Sequence, residues 1–199
     1  MTSIAVYSYA LASICFMVLA TPLLARWRPR YHAGVLTAAC VISALWAAAL
    51  SWSAARSVMW SGLTGALEIV RDAAWSVFMV ALLGHWRDPR SRLPFQLRPP
   101  MFAALCLYGL LLAATVLGYW NLPWLAGMGL MPTVAAHVVL AVYGMLLVEQ
   151  VYRNRNDQER WAVKFACLGV GGMFAYDFYM YSHAMLLREP NPDIWAARG

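Results

Sequence analysis

The sequence predicts an all-α, polytopic membrane helical bundle of about six transmembrane helices. Of its 199 residues, 62% are hydrophobic and only 12% are charged, and the mean hydropathy is +0.59. Apolar runs of membrane-crossing length recur along the chain, and basic residues gather between them. A water-soluble core of this size could not bury so much apolar surface, so we expect lipid to cover the helices.

Six apolar stretches approach the ~20 residues that a helix needs to cross a bilayer. They run over about residues 4–25, 33–51, 62–84, 101–117, 129–148 and 161–187. The first is followed, not preceded, by arginines, and no small-residue cleavage site ends it, which favours a membrane helix over a cleaved signal peptide. Between the third and fourth stretches, Pro94, Pro99 and Pro100 indicate a loop.

The distribution of basic residues predicts the orientation of the spans. The connections after the first, third and fifth spans hold eleven of them: Arg26, Arg28, Arg30, Arg87, Arg90, Arg92, Arg98, Arg153, Arg155, Arg160 and Lys164. The opposite side holds Arg56, Arg188 and Arg198. Because cytoplasmic loops are enriched in Lys and Arg, we expect the basic loops in the cytoplasm and both chain ends outside it.

The net charge is +6, and most of the basic residues lie in these short clusters. Such clusters suit anionic lipid, so we expect the bilayer as a partner and no nucleic acid. The four cysteines form no CxxC pair, and no zinc, phosphate-loop or nucleophile-elbow motif occurs. We therefore assign no catalytic, cofactor-binding or metal-binding residue in this chain.

Ionisable groups inside the spans are the strongest candidates for function. They are Glu68, Arg71 and Asp72 in the third span, His137 in the fifth, and Asp177 beside Tyr176 in the sixth. A charge at the bilayer centre costs ~2.5–3.5 kcal/mol, so such groups usually face the bundle interior with a partner. At a helical rise of about 1.5 Å per residue, Arg71, His137 and Asp177 lie about 14, 12 and 15 Å below the outer ends of their spans. This similar depth predicts contact.

The charges of this group leave two interpretations open. Glu68 precedes Arg71 by three residues and Asp72 by four, so the three share a helix face. With Asp177 the acids outnumber the arginine, so a carboxyl group is protonated, His137 carries a proton, or water or a cationic ligand enters. The group is either a structural ion-pair knot between the third and sixth spans or a site that responds to a ligand or to protons.

Several runs of residues resemble the N-terminal membrane region of the PEP-CTERM-system sensor histidine kinases, the PrsK family. They are LEIVRDAAW at residues 67–75, VEQVYRN at 148–154, the stretch from Arg160 to Tyr179, and WAARG at 195–199. The resemblance covers most of the chain and is strongest from Glu149 onward. It implies a sensor or input region in the bacterial inner membrane, within a kinase that regulates exopolysaccharide and exosortase-linked protein sorting.

The resemblance also implies a longer parent protein. The family continues through further membrane helices into a cytoplasmic GAF domain and a kinase core, which uses ATP and magnesium, forms a homodimer and signals to a response regulator. This chain contains no phosphoacceptor-histidine motif, so no residue in it is assigned to autophosphorylation. We expect it to be truncated, because six spans leave Gly199 outside and an odd number of further spans would lead to a cytoplasmic kinase.

Two other classes remain alternatives to a sensor of an unknown ligand. A small multipass transporter or channel would need water-accessible polar positions that continue into the inner half of the bundle, where Glu149 and Lys164 are among the few. A membrane anchor or assembly subunit would have a dry, fully paired polar group.

Overall fold

The computed structural model describes residues 2–25, 31–56, 62–87, 99–119, 130–154, 157–189 and 194–195. These residues form six long α-helices and contain no strand. The helices are α1 (Thr2–Ala25), α2 (Tyr31–Ala55), α3 (Gly62–Arg87), α4 (Pro99–Tyr119), α5 (Leu130–Arg153) and α6 (Asp157–Leu187). The predicted all-α helical bundle is confirmed.

Each helix covers the described part of its predicted span, and several extend beyond it. The helix α2 continues to Ala55, α5 continues to Arg153, and α6 begins at Asp157. An apolar run marks the part of a helix that suits hydrocarbon, whereas backbone hydrogen bonding continues into the polar residues that follow. The prediction that Pro99 and Pro100 belong to a loop is wrong: both lie in the first turn of α4, where proline is tolerated because its missing N–H has no helical partner. Some residues of the predicted spans and loops lie outside the described residues: Gly129, Arg26, Arg28, Arg30, Arg90, Arg92, Arg98 and Arg155.

Three helices are long and apolar enough to cross a membrane, over Ala5–Ala25, Ala33–Ala55 and Met131–Arg153. A shorter apolar helical stretch runs over Met101–Val116. The helices α3 and α6, which carry the predicted intramembrane charges, are not among these. Crossings by α3, α4 and α6 therefore stay predictions.

The helices pack in a defined order around α3. The most extensive pairings are α1 with α2 and α5 with α6, while α3 packs against α2, α4 and α5. The main apolar core draws on five helices, with Cys40, Met79, Val151 and Phe174 among its buried members. Apolar residues elsewhere face outward; for example, Phe165 is 71% exposed. An apolar exterior of this kind suits lipid.

Two smaller apolar clusters lie towards the end of the bundle where α6 ends. One contains Tyr9, Trp46 and Ala47 from α1 and α2. The other contains Val134, Met180, Tyr181 and Ala184 from α5 and α6. By position along the helices, the charged residues of α3 and α6 fall between these clusters and the main core. A polar layer is thus enclosed by apolar packing on both sides.

The helices α5 and α6 approach closely at Gly144. A Cβ atom added to Gly144 would lie 2.5 Å from Cγ of Phe174, which is less than any normal carbon–carbon contact. Phe174 is only 1% exposed, so its ring has little room to move away. The missing side chain at Gly144 therefore sets the spacing of these two helices.

We expect Gly144→Ala to destabilise the protein by about 1–3 kcal/mol, because the added methyl group overpacks the α5–α6 contact. Gly172→Ala is the control, since a Cβ there meets nothing within 4 Å. It should leave stability unchanged or raise it by up to about 1 kcal/mol through helix propensity. Thermal unfolding of the purified protein in detergent measures both. Equal melting temperatures for the two variants would contradict the close-packing interpretation.

Candidate functional site

The intramembrane charges predicted from the sequence are buried together in the bundle. Glu68, Arg71 and Asp72 on α3, His137 on α5 and Asp177 on α6 are each between 2% and 8% exposed. Together with Tyr181 of α6 they form what is here named the polar cluster. Three helices contribute to it, so its contacts determine how those helices sit against one another.

Arg71 is the central donor of the polar cluster. Its Nε and Nη2 atoms donate to Oδ1 of Asp72 at 3.0 and 2.8 Å. Nη2 also donates to Oδ2 of Asp177 on α6 at 2.9 Å. The structure thus brings Arg71 and Asp177 into direct contact, and the intrahelical bond of Arg71 goes to Asp72, the next residue in sequence. Buried, charge-assisted hydrogen bonds of this length are among the strongest in proteins.

The face of the Arg71 guanidinium is covered by an indole ring. Its Cζ atom lies 4.0 Å from the ring centroid of Trp46 on α2. This geometry leaves the N–H edge of the guanidinium free to bond carboxylates, while the face gains a cation–π contact of about 2 kcal/mol when desolvated. Arg71 therefore joins α3 to α2 as well as to α6.

Glu68 accepts a hydrogen bond from a tyrosine of α6. The Tyr181 hydroxyl donates to Oε1 of Glu68, which forms a second polar link between α6 and α3. The Tyr181 ring also stacks on His137, with centroids 4.4 Å apart and an interplanar angle of 25°. His137 thus belongs to the polar cluster through the ring of Tyr181.

The hydrogen bond of His137 fixes which ring nitrogen carries a proton. Nδ1 lies 2.8 Å from the carbonyl oxygen of Thr133, one turn earlier on α5. A carbonyl oxygen only accepts, so Nδ1 carries hydrogen and donates. In the neutral ring, Nε2 then holds a lone pair that can accept a proton. The cluster therefore contains carboxyl, phenol and imidazole groups, all of which can exchange protons.

A second layer of hydrogen bonds lies next to the polar cluster on α3. Nε1 of Trp75 donates to the Ser43 hydroxyl on α2 at 2.9 Å. The Ser76 and Tyr108 hydroxyls are 2.9 Å apart and join α3 to α4. These bonds fix the rotation of α3, which in turn determines where Arg71 points. Beyond them the interior becomes apolar at Met79.

The predicted group lacks two residues of the site. Tyr176 belongs to that group, and its hydroxyl donates to the carbonyl oxygen of Ile194 at 2.7 Å. Tyr181 bonds Glu68, and its position four residues after Asp177, on the same helix face, is the signal that could have found it. Trp46 carried no sequence signal that distinguishes it from a packing tryptophan.

The chemistry open to this site is that of ion pairing and proton exchange. The polar cluster holds one guanidinium and three carboxyl groups in a region where charges are costly to bury. Among the described residues, no group of three or more His, Cys, Asp or Glu side chains is arranged to hold a metal ion. The arrangement can hold helices in one packing, and it can respond to a change in charge.

Comparison with known protein families, curated proteins and solved structures finds no match to this chain. These comparisons therefore do not assign the chain to a family. The resemblance of its residues to the PEP-CTERM-system kinases stays a prediction.

We expect Arg71→Met to destabilise the protein by about 3–5 kcal/mol, because it leaves the buried Asp72 and Asp177 carboxylates without their cation. The matched control is Arg153→Met, which removes an exposed pair with Glu149 at 3.1 Å and should cost less than about 1 kcal/mol. Adding Asp72→Asn and Asp177→Asn to Arg71→Met should restore part of the loss. Denaturant unfolding in detergent measures each variant, and similar losses for the two arginines would contradict a buried ionic centre.

Proposed function

We propose that this chain is the membrane-embedded sensor or input region of a two-component histidine kinase in the bacterial inner membrane. The kinase would regulate exopolysaccharide and exosortase-linked protein sorting. The observation that carries the proposal is the buried bridge from Arg71 to Asp177 between α3 and α6. A sensor needs an element with two alternative packings whose balance a signal can shift.

The bridge suits such an element because it is polar. The helix α3 packs mainly on α2 and α4, and α6 packs mainly on α5. The links between α3 and α6 include the Arg71–Asp177 and Tyr181–Glu68 hydrogen bonds. A proton or a charged ligand can break or re-form links of this kind, because one unit of charge changes which partners are satisfied.

The positions of these residues add support. Glu68, Arg71 and Asp72 fall in the run over residues 67–75, and Asp177 falls in the stretch from Arg160 to Tyr179. Both runs resemble the sensor histidine kinases. On this proposal, a GAF domain and a kinase core belong to a longer parent, and homodimerisation, the response regulator and the use of ATP and magnesium come with that core.

The proposal includes six membrane crossings, with the N-terminus in the periplasm and the basic loops in the cytoplasm. Three helices long and apolar enough to cross a membrane support the multipass arrangement. The excess of Lys and Arg after the first, third and fifth spans supports the orientation.

Reporter fusions test this topology. Alkaline phosphatase is active only outside the cytoplasm, so fusions after residues 56, 125 and 189 should be active. Fusions after residues 30, 92 and 155 should be inactive, because these positions lie in the basic connections. Green fluorescent protein at the same six positions is the control, since it should give the opposite pattern. Activity on both sides of a single helix would contradict a crossing by that helix.

We expect Asp177→Asn to change kinase output in the full-length parent without preventing membrane insertion. Asparagine keeps the shape and one acceptor oxygen but removes the charge that Arg71 binds, so the two packings should be rebalanced. Autophosphorylation in membranes measures the output, and thermal unfolding measures retained folding. Glu149→Gln, in an exposed ion pair, is the control. Unchanged output from a stable Asp177→Asn protein would contradict the sensing role.

A membrane anchor or assembly subunit is the second candidate function. It is favoured by the burial of the polar cluster, in which Glu68, Arg71, Asp72 and Asp177 are each at most 6% exposed as whole residues. A cluster that only fixes packing would lose stability in Asp177→Asn and leave signalling unaltered. A transporter or channel would need polar positions beyond the cluster, where Met79, Val151 and Phe174 form an apolar core.

A further inference from the structure

We propose that Ile194 and Trp195 form a strap that clasps α1 to α6 and closes the polar cluster at the end of the bundle where α6 ends. This inference concerns how the chain shields its own interior. It goes beyond the proposed kinase role and does not depend on it.

The chain leaves its helical course at Arg188, six residues before the strap. The helix α6 ends at Leu187, and Arg188 has a φ of 57°, in the left-handed region that is unfavourable for residues other than glycine. A residue in this conformation typically ends a helix and redirects the chain. Ile194 and Trp195 then lie back against the bundle, where both pack on the apolar cluster of α5 and α6.

Two phenols from different helices hold the strap by its backbone. The Tyr176 hydroxyl of α6 donates to the carbonyl oxygen of Ile194 at 2.7 Å. The Tyr9 hydroxyl of α1 donates to the carbonyl oxygen of Trp195 at 3.0 Å. Consecutive residues of the strap therefore tie the first helix of the chain to the sixth.

The side chain of Trp195 connects the strap to the polar cluster through α6. Its indole meets the Tyr181 ring edge-on, with centroids 5.7 Å apart. The hydroxyl of the same tyrosine bonds Glu68. A displacement of Trp195 would therefore remove packing from the Tyr181 ring, whose hydroxyl donates to Glu68.

The α1 side of the strap leads to the polar cluster as well. Tyr9 meets the Trp46 ring edge-on, with centroids 6.0 Å apart, and Trp46 covers the guanidinium of Arg71. The contacts thus form a closed circuit from the strap through α1 and α2 to Arg71, and back through α3 and α6. The strap is the only part of this circuit that lies outside the long helices.

The residues next to the strap are buried. Tyr9 is 4% exposed, Tyr181 is 2% exposed and Ala184 is 1% exposed, whereas Ile194 and Trp195 are themselves partly exposed. A two-residue strap outside the long helices can open locally while the helices stay folded. Water would then reach Ala184 and Tyr181 first, and the carboxyl groups next.

Thiol labelling of Ala184→Cys measures this closure. The full chain is placed in lipid nanodiscs, where both faces are accessible, and treated with a membrane-impermeant maleimide. Mass spectrometry follows modification at position 184 alone, so the native cysteines do not interfere. Adding Trp195→Ala should raise the labelling rate about tenfold or more, because the reporter loses its cover. Trp52→Ala is the matched control: Trp52 is 63% exposed near the end of α2, and its loss should leave the rate unchanged.

A second variant removes the clasp and keeps the aromatic rings. Tyr9→Phe with Tyr176→Phe deletes both of these hydrogen bonds to the strap and should raise labelling severalfold while the protein stays folded. A folded Trp195→Ala protein that labels at the parent rate would overturn the proposal, as would equal acceleration by Trp52→Ala. If Trp195→Ala does not fold, the double tyrosine variant decides in the same way. Kinase output enters none of these measurements, so failure of the kinase proposal would leave the result intact.

Discussion

The guanidinium of Arg71 is the group on which the arrangement of this bundle depends. It bonds a carboxylate on its own helix, a second carboxylate on α6 and an indole ring on α2. A single buried cation therefore fixes three helices, and each partner meets a different part of it. Lysine could not replace it. The planar guanidinium stacks its face on the indole while its edge donates to two carboxylates, whereas an ammonium group has no flat face.

The polar cluster can remain folded because apolar packing encloses it. On one side lies the main apolar core around Met79 and Phe174. On the other side, towards the end of the bundle where α6 ends, lie the two smaller apolar clusters. Electrostatic attraction is stronger in such an enclosed region than in water, and so is the penalty for an unsatisfied group. A small change in charge or hydration would therefore have a large effect on how α3 and α6 sit together.

The sequence was sufficient to predict the helices, because they follow from hydropathy and length. It was enough to place Arg71 near Asp177, since buried charges require partners at their own level. The i+4 spacing puts Tyr181 on the same helix face as Asp177, but whether its hydroxyl reaches Glu68 depends on the rotation of α6, which spacing alone does not determine. Nor could the sequence predict the return of Trp195, because a segment rich in proline has no period from which to infer its path.

The separation of Arg71 and Asp177 along the chain has a consequence for biogenesis. The two residues are 106 positions apart, so at about 5–20 residues per second the ribosome adds Asp177 roughly 5–20 s after Arg71. During that interval α3 exists without its partner on α6. Asp72, adjacent to Arg71, is present from the start and can neutralise the arginine within the same helix. Asp72 can thus serve as a provisional counter-ion during synthesis, and the contact with Asp177 completes the site only after α6 has been made.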